Sequence, residues 1–113
     1  MKRRTSEAPT SREPAPTSPH ETAILAAELG SSVPTIDLHG DSADDAIYRL
    51  GNFIYSNHPL GTEVLKIIHG RGTQKLRRAI HEWLKSQKDI LYFRDAEAPG
   101  QQGGVTYVVI HSA

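Results

Sequence analysis

Two short stretches hold most of the residues able to do chemistry. Asp37-Leu38-His39-Gly40 closes one apolar run, and His69-Gly70-Arg71-Gly72 closes another. In an extended strand residues i and i+2 share a face. Asp37 and His39 can therefore point the same way, with Leu38 turned to the other side. A carboxylate in that position can orient the imidazole or favour its protonated form. Taken alone, the pattern also suits an aspartate capping local backbone beside a polar histidine at a strand end. In the second stretch, the glycines allow positive φ and close approach of backbone to a ligand. A helix starting just beyond offers free N–H groups and a positive end to a phosphate. Arg71 can fork onto phosphate oxygens, and Lys75 and Arg78 follow on the same segment. The competing reading is a strand-to-helix turn that needs glycine for its shape, followed by a solvated basic face.

Composition narrows the chemistry. The chain has 113 residues, enough for one domain with some tail. It contains no cysteine, which excludes disulfides, cysteine–zinc sites and a thiol nucleophile, and suits a reducing cytoplasm. No stretch approaches a membrane span and no signal-peptide pattern is present, so the expected location is cytoplasmic with no membrane partner. The formal charge is zero, 13 Lys and Arg against 13 Asp and Glu. A uniformly basic nucleic-acid binder is thereby excluded, but the distribution is uneven. Lys66, Arg71, Lys75, Arg77 and Arg78 lie together with no acid between them, while Asp37, Asp41, Asp44 and Asp45 form a separate acidic group. A locally basic patch on a neutral protein can still hold a phosphate backbone.

The elements that must position these residues follow from periodicity and punctuation. Residues 1–30 read as a flexible Pro/Ser/Thr-rich tail, with a short helix near 21–29 that is stable only if docked. The folded part is expected over 33–113. "VPTIDLHG" reads as a strand. "DSADDAIYRLGNFIYSNHP" reads as a helix, with Ser42 as N-cap and Ala43, Ala46, Ile47, Leu50 and Ile54 as one buried stripe; Pro59 ends it. "TEVLKIIH" is a second strand. "TQKLRRAIHEWLKSQ" is a second helix, with Leu76, Ile80, Trp83 and Leu84 inward. "DILYFRDA" and "VTYVVIH" are two further strands, joined by the loop "EAPGQQGG".

The order β-α-β-α-β-β predicts an α/β (α+β) two-layer sandwich with a four-stranded mixed sheet. Successive right-handed crossovers place both helices on one face, and the helix-free last connection implies antiparallel strands. Ligands in such units bind beyond the carboxyl ends of the strands. The loops holding Asp37–Gly40, His69–Gly72 and Gly103-Gly104 therefore converge on one rim. Tyr48, Tyr55, Tyr92 and Tyr107 are candidate base-stacking residues where exposed. His20, His58, His81 and His111 lack partners at ligand spacing. No H-E-x-x-H motif is present; a divalent ion on Asp37, His39 and His69 is conceivable but not required.

These residues resemble a known family. Ile36-Asp37-Leu38-His39-Gly40 is similar to its (L/I)DLHG motif, and His69-Gly70-Arg71-Gly72, with Thr73 and Leu76-Arg77, to its "HGKGTGxLR" pattern. Gly103-Gly104-Val105-Thr106 is similar to its "GGxGVT" ending, shorter by a glycine. Together they look like the small MutS-related (Smr) domain, over about Val33 to Ile110. The resemblance implies a fold similar to the C-terminal domain of translation initiation factor 3, and a nuclease acting on RNA or DNA, including mRNA on ribosomes. No G-x-x-x-x-G-K-[ST] motif is present, so the expectation is a stand-alone bacterial-type protein or a fragment. The resemblance assigns cleavage to Asp37 and His39, and cleavage or binding to His69, Gly70, Arg71 and Gly72. On this basis His39 is the candidate base oriented by Asp37, His69 the candidate acid, and Arg71 the stabiliser of phosphoryl charge. Gly40, Thr73, Lys75, Arg78, Gly103 and Gly104 complete the candidate nucleic-acid contacts. The alternatives are a non-catalytic nucleic-acid or ribosome-binding module and a metal-dependent DNA-nicking enzyme. Oligomeric state is not encoded in any of these features.

Overall fold

A computed structural model describes residues 18–61 and 63–111. Of the tail expected over residues 1–30, residues 1–17 lie outside the described residues. The order is α1 (Pro19–Glu28), β1 (Thr35–Asp37), α2 (Ala43–Asn57), a 3₁₀ turn (His58–Leu60), β2 (Val64–Ile68), α3 (Lys75–Lys85), β3 (Ile90–Asp95) and β4 (Val105–Ile110). The sheet order is β1-β2-β4-β3. β1 and β2 are parallel, while β4 runs antiparallel to both β2 and β3. The mixed four-stranded sheet expected from the sequence is the one observed. β4 is inserted between β2 and β3, so the chain's last strand becomes a central one.

Local signals set the helix ends. Ser42 Oγ accepts the Asp45 amide at 3.2 Å, the N-cap expected for α2. Ala46, Leu50 and Ile54 are its buried stripe. The helix stops before Pro59, and Gly61 closes the 3₁₀ turn at φ +73°. α3 starts differently. Its N-cap is Gln74, at φ +68°, with no side-chain cap.

α2 and α3 cover one face of the sheet. Ile36, Leu38, Leu50, Leu65, Ile80, Leu84, Val108 and Ile110 form that core. The opposite face is also covered. Ile24 and Ala27 of α1 pack on Val64, Val105, Tyr107 and Val109. The two-layer expectation thus gains a third layer, and residues 19–28, drawn into the tail by sequence, form a docked helix. Isolated, a helix of 10 residues is marginal. Here burial and an ion cluster hold it. Arg94 Nη2 reaches Glu28 at 2.8 Å and Arg94 Nε reaches Glu21 at 2.9 Å, while the Glu28 carboxylate accepts the Glu97 and Ala98 amides. The Arg94 hydrogen bond is the main reason that the Glu28 carboxyl lies below its ordinary value, and the arginine is raised in return.

The third layer explains β4. All six of its residues are buried. A strand covered on both faces loses polar alternation, as in VTYVVI. Val105, Tyr107 and Val109 face α1, and Val108 and Ile110 face α2 and α3. Thr106 shares the latter parity, a hydroxyl set into the apolar side.

Candidate active site

The three loops meet. The Leu38 amide donates to Ile68 O at 2.7 Å, and the His69 and Gly70 amides both reach Gly104 O, at 2.9 and 3.1 Å. The approach is close enough to require glycine at Gly70. Its φ is +84°, and a Cβ there would lie 3.2 Å from His39 Cβ. A Cβ on Gly104 would lie 3.3 Å from Arg71 Cγ and against Gly70 backbone. Gly72 has no such restriction, since a Cβ there meets nothing within 4 Å. The rim opens on a cleft of about 320 Å³ lined by His39, Gly40, Gly70, Arg71, Thr73 and Gln74, with His69 at its wall.

Asp37 and His39 form an exposed pair. Asp37 Oδ1 lies 2.6 Å from His39 Nδ1 and also accepts the His39 amide at 3.1 Å. The carboxylate clamps both ring and backbone of His39 and leaves Nε2 toward solvent. The His39 hydrogen bond lowers the Asp37 pKa, and the same bond raises that of His39. The shared face expected from strand geometry is present: Leu38 is fully buried between two exposed neighbours.

His69 is placed differently from the rim role drawn from sequence. It is 4 % exposed. Its Nε2 lies 2.9 Å from Thr106 Oγ1 and its Nδ1 3.1 Å from Gly70 O. Both ring nitrogens are engaged inward, so neither is presented to the cleft as a proton donor. Register gives the reason. Asp37 pairs with Ile68. Continued one residue, that register sets Leu38 beside His69, and cross-strand neighbours share a face. The two histidines therefore point to opposite sides of the sheet. Burial pushes the His69 pKa down, against the pull of the Gly70 carbonyl.

Arg71 is also tied down. Its Nε donates to Gln102 O at 2.9 Å and its Nη2 to Gly100 O, fastening this loop to the β3–β4 loop. A guanidinium has five donors, so others remain for a phosphate. Gln74 Nε2 bridges Arg71 O and Gly103 O. Thr73 Oγ1 accepts the Lys75 amide. Lys75 and Arg78 are exposed on α3. Arg77 leaves the basic patch, since its Nε meets Asp95 Oδ2 at 2.9 Å. Of the tyrosines, Tyr107 is buried, Tyr92 bonds Glu21, and Tyr48 and Tyr55 are exposed.

Beneath His69 lies a cluster that sequence reading missed. His81 Nε2 sits 3.0 Å from Thr106 Oγ1 and 3.0 Å from Asp95 Oδ1, and Thr106 Oγ1 also meets Asp95 Oδ1 at 3.0 Å. Burial lowers the His81 pKa. Asp95 is lowered too, its hydrogen bonds from Arg77 and Thr106 outweighing the opposing effect of burial. Among the described residues, the group whose ligand atoms converge is His69, His81 and Asp95. The set considered from sequence, Asp37, His39 and His69, is not assembled, because His69 turns its nitrogens away. The available signal was Thr106, a hydroxyl in an otherwise apolar strand.

This loop-built site on a mixed sheet matches a family model. The Smr domain model aligns with residues 36–111, and the chain belongs to that family. It is 36% identical over 76 residues to endonuclease MutS2 of Aquifex aeolicus, covering 67% of this chain and 10% of that protein. It is 36% identical over 87 residues to endonuclease MutS2 of Thermus thermophilus, covering 76% of this chain and 12% of that one. The chain thus spans about a tenth of the length of these relatives. The crystal structure of the Smr domain of Thermus thermophilus MutS2 superposes with a TM-score of 0.66 at 36% identity, covering 70% of this chain and 99% of that one. YdaL, a stand-alone small MutS-related protein from Escherichia coli, shares the fold with a TM-score of 0.66 at 21% identity, covering 80% and 76% of the two chains. Among the described residues, no helix is long and apolar enough to cross a membrane.

Proposed function

We propose that this chain is a nucleic-acid endonuclease that prefers RNA and cuts at the rim occupied by His39. The carrying observation is the Asp37–His39 pair, 2.6 Å apart and open to solvent beside a cleft with a basic helix on its far side. The relatives' name, endonuclease MutS2, supports the reaction class. In the proposed reaction, His39 Nε2 takes the proton of an RNA 2′-OH. That oxygen attacks the adjacent phosphorus, the P–O5′ bond breaks, and the products are a 2′,3′-cyclic phosphate and a 5′-hydroxyl. The leaving oxygen takes its proton from water at the open rim. Free N–H groups of Arg71 stabilise charge on the phosphoryl oxygens, and Lys75 and Arg78 track the backbone. His69 holds the loop rather than transferring the proton.

The test is incubation with labelled RNA and DNA, with and without EDTA, followed by mapping of product ends. Cyclic-phosphate ends on RNA that persist in EDTA are expected. The double variant Asp37→Asn/His39→Ala should lose cutting and keep most binding. Undiminished cleavage by that variant overturns the assignment. Salt-sensitive binding with no product from the wild type identifies a binding module instead.

A further inference from the structure

The cluster under the His69–Gly72 loop is one hydrogen short. The Gly70 carbonyl can only accept, so the contact with His69 Nδ1 at 3.1 Å requires an Nδ1–H. In a neutral ring this leaves His69 Nε2 as a lone pair, aimed at Thr106 Oγ1. Thr106 has a single hydrogen, and Asp95 Oδ1 at 3.0 Å also calls for it. His81 Nε2 can supply one more hydrogen, 3.0 Å from both oxygens. With both rings neutral and Asp95 ionised, every arrangement leaves one short contact between two lone pairs. Lone pairs converging on one small volume are what a cation satisfies.

We propose that His69, His81 and Asp95 form a binding site for a divalent transition-metal ion, zinc foremost, with the Thr106 hydroxyl as its fourth neighbour. Two imidazole nitrogens and a carboxylate oxygen are a donor set that favours zinc-like ions over calcium or magnesium. A tetrahedral ion with bonds of about 2.0–2.2 Å needs ligand atoms about 3.3–3.5 Å apart. The separations to Thr106 Oγ1 and within the His81–Asp95 pair are 2.9–3.0 Å, and the outer limit among the three ligands is 4.8 Å. Small ring rotations bridge that range. The surroundings already orient the ligands as metal sites require. The Gly70 carbonyl holds the His69 tautomer, and Arg77 takes Asp95 Oδ2 and leaves Oδ1 inward. Arg77 also offsets the carboxylate charge, which keeps the affinity below that of a cysteine-rich site. The ligands come from the end of β2, from α3 and from the end of β3. An ion there pins the loop from beneath without touching the cleft, and the proposal stands whether or not the rim cleaves RNA.

The experiment uses the full chain after chelator treatment. Zn²⁺ is titrated by calorimetry, Co²⁺ by visible absorption, and each bound form is melted. One ion per chain, a four-coordinate cobalt spectrum and a raised Tm are expected. His81→Ala and Asp95→Asn should each weaken binding by at least about tenfold. His58→Ala, which removes the His58–His111 ring stack at 6.2 Å, should leave it unchanged. Should His81→Ala fail to fold by circular dichroism, the near-isosteric Asp95→Asn carries the test. No saturable binding by the wild type, or affinity indifferent to both cluster variants, overturns the site and leaves a hydrogen-bonded cluster only.

Discussion

Two histidine–aspartate groupings lie on opposite sides of one sheet edge and behave in opposite ways. At the rim, His39 is exposed beside Asp37, and the carboxylate raises its pKa. Beneath, His69 and His81 are largely buried near Asp95, and burial lowers theirs despite the same kind of partner. The residue types are alike. What differs is water, together with the Arg77 guanidinium that already holds Asp95. A solvated pair can exchange protons with a substrate, whereas a buried network is suited to holding backbone or an ion in place.

The sharpest way to break this contrast is to remove one histidine from each group. His39→Ala should cost about 10²–10⁴-fold in cleavage rate, the range for a lost general base. His81→Ala should leave the rate per folded molecule largely intact and lower the Tm instead. Equal rate losses in both would dissolve the distinction.

Next in size is the contact joining the groups. Gly70→Ala puts a methyl at φ +84° against His39 Cβ and should destabilise by about 1–3 kcal/mol. Gly72→Ala, with open space around it, should stay within about 0.5 kcal/mol. Chemical denaturation of the two variants makes the comparison, and matching losses would contradict the loop geometry.

Acidity separates the groups as well. In the proposed reaction His39 can serve as a base only when neutral, and its pKa is raised above 6.5. Cleavage should therefore climb with pH through a midpoint above 6.5, and Asp37→Asn should move that midpoint down. Stability at the buried pair should also rise with pH, but over a window below 6.5 rather than above it. Their folded pKa values lie below the ordinary 6.5, so the unfolded chain binds protons first. That contribution is complete above pH 6.5 and is lost as pH falls through the folded values. A rate–pH profile and a Tm–pH series on the same samples check both signs.

The smallest effect concerns the basic face. Lys75→Ala and Arg78→Ala should each flatten the salt dependence of RNA binding by about one unit of slope, across all sequences. Arg77→Ala should act on stability, since its charge is spent on Asp95. A salt slope lowered most by Arg77→Ala would reverse the reading of α3.

Much of the rim was legible in advance because it is built from local signals. Asp37, Leu38 and His39 alternate as any strand does, Ser42 caps its own helix, and the glycines mark their own turns. Three features were not legible. The helix near 21–29 was expected, but not that it would dock against Val64, Tyr107 and Val109 as a third layer. His69 was read as a rim acid because strand register with β1 cannot be counted from one strand. His81 and Asp95 lie 14 positions apart, and their meeting depends on β4 entering between β2 and β3.

By itself, then, the amino-acid sequence determined which segments are helix and strand, where they turn, and that the Asp37, His39 and glycine loops share one end of the sheet. Alternation, capping and punctuation act within a few residues and survive without neighbours. Tertiary structure alone decided which way each histidine faces and how it holds its proton. Those depend on register between strands and on which side chains displace water, and both are settled only when distant segments pack.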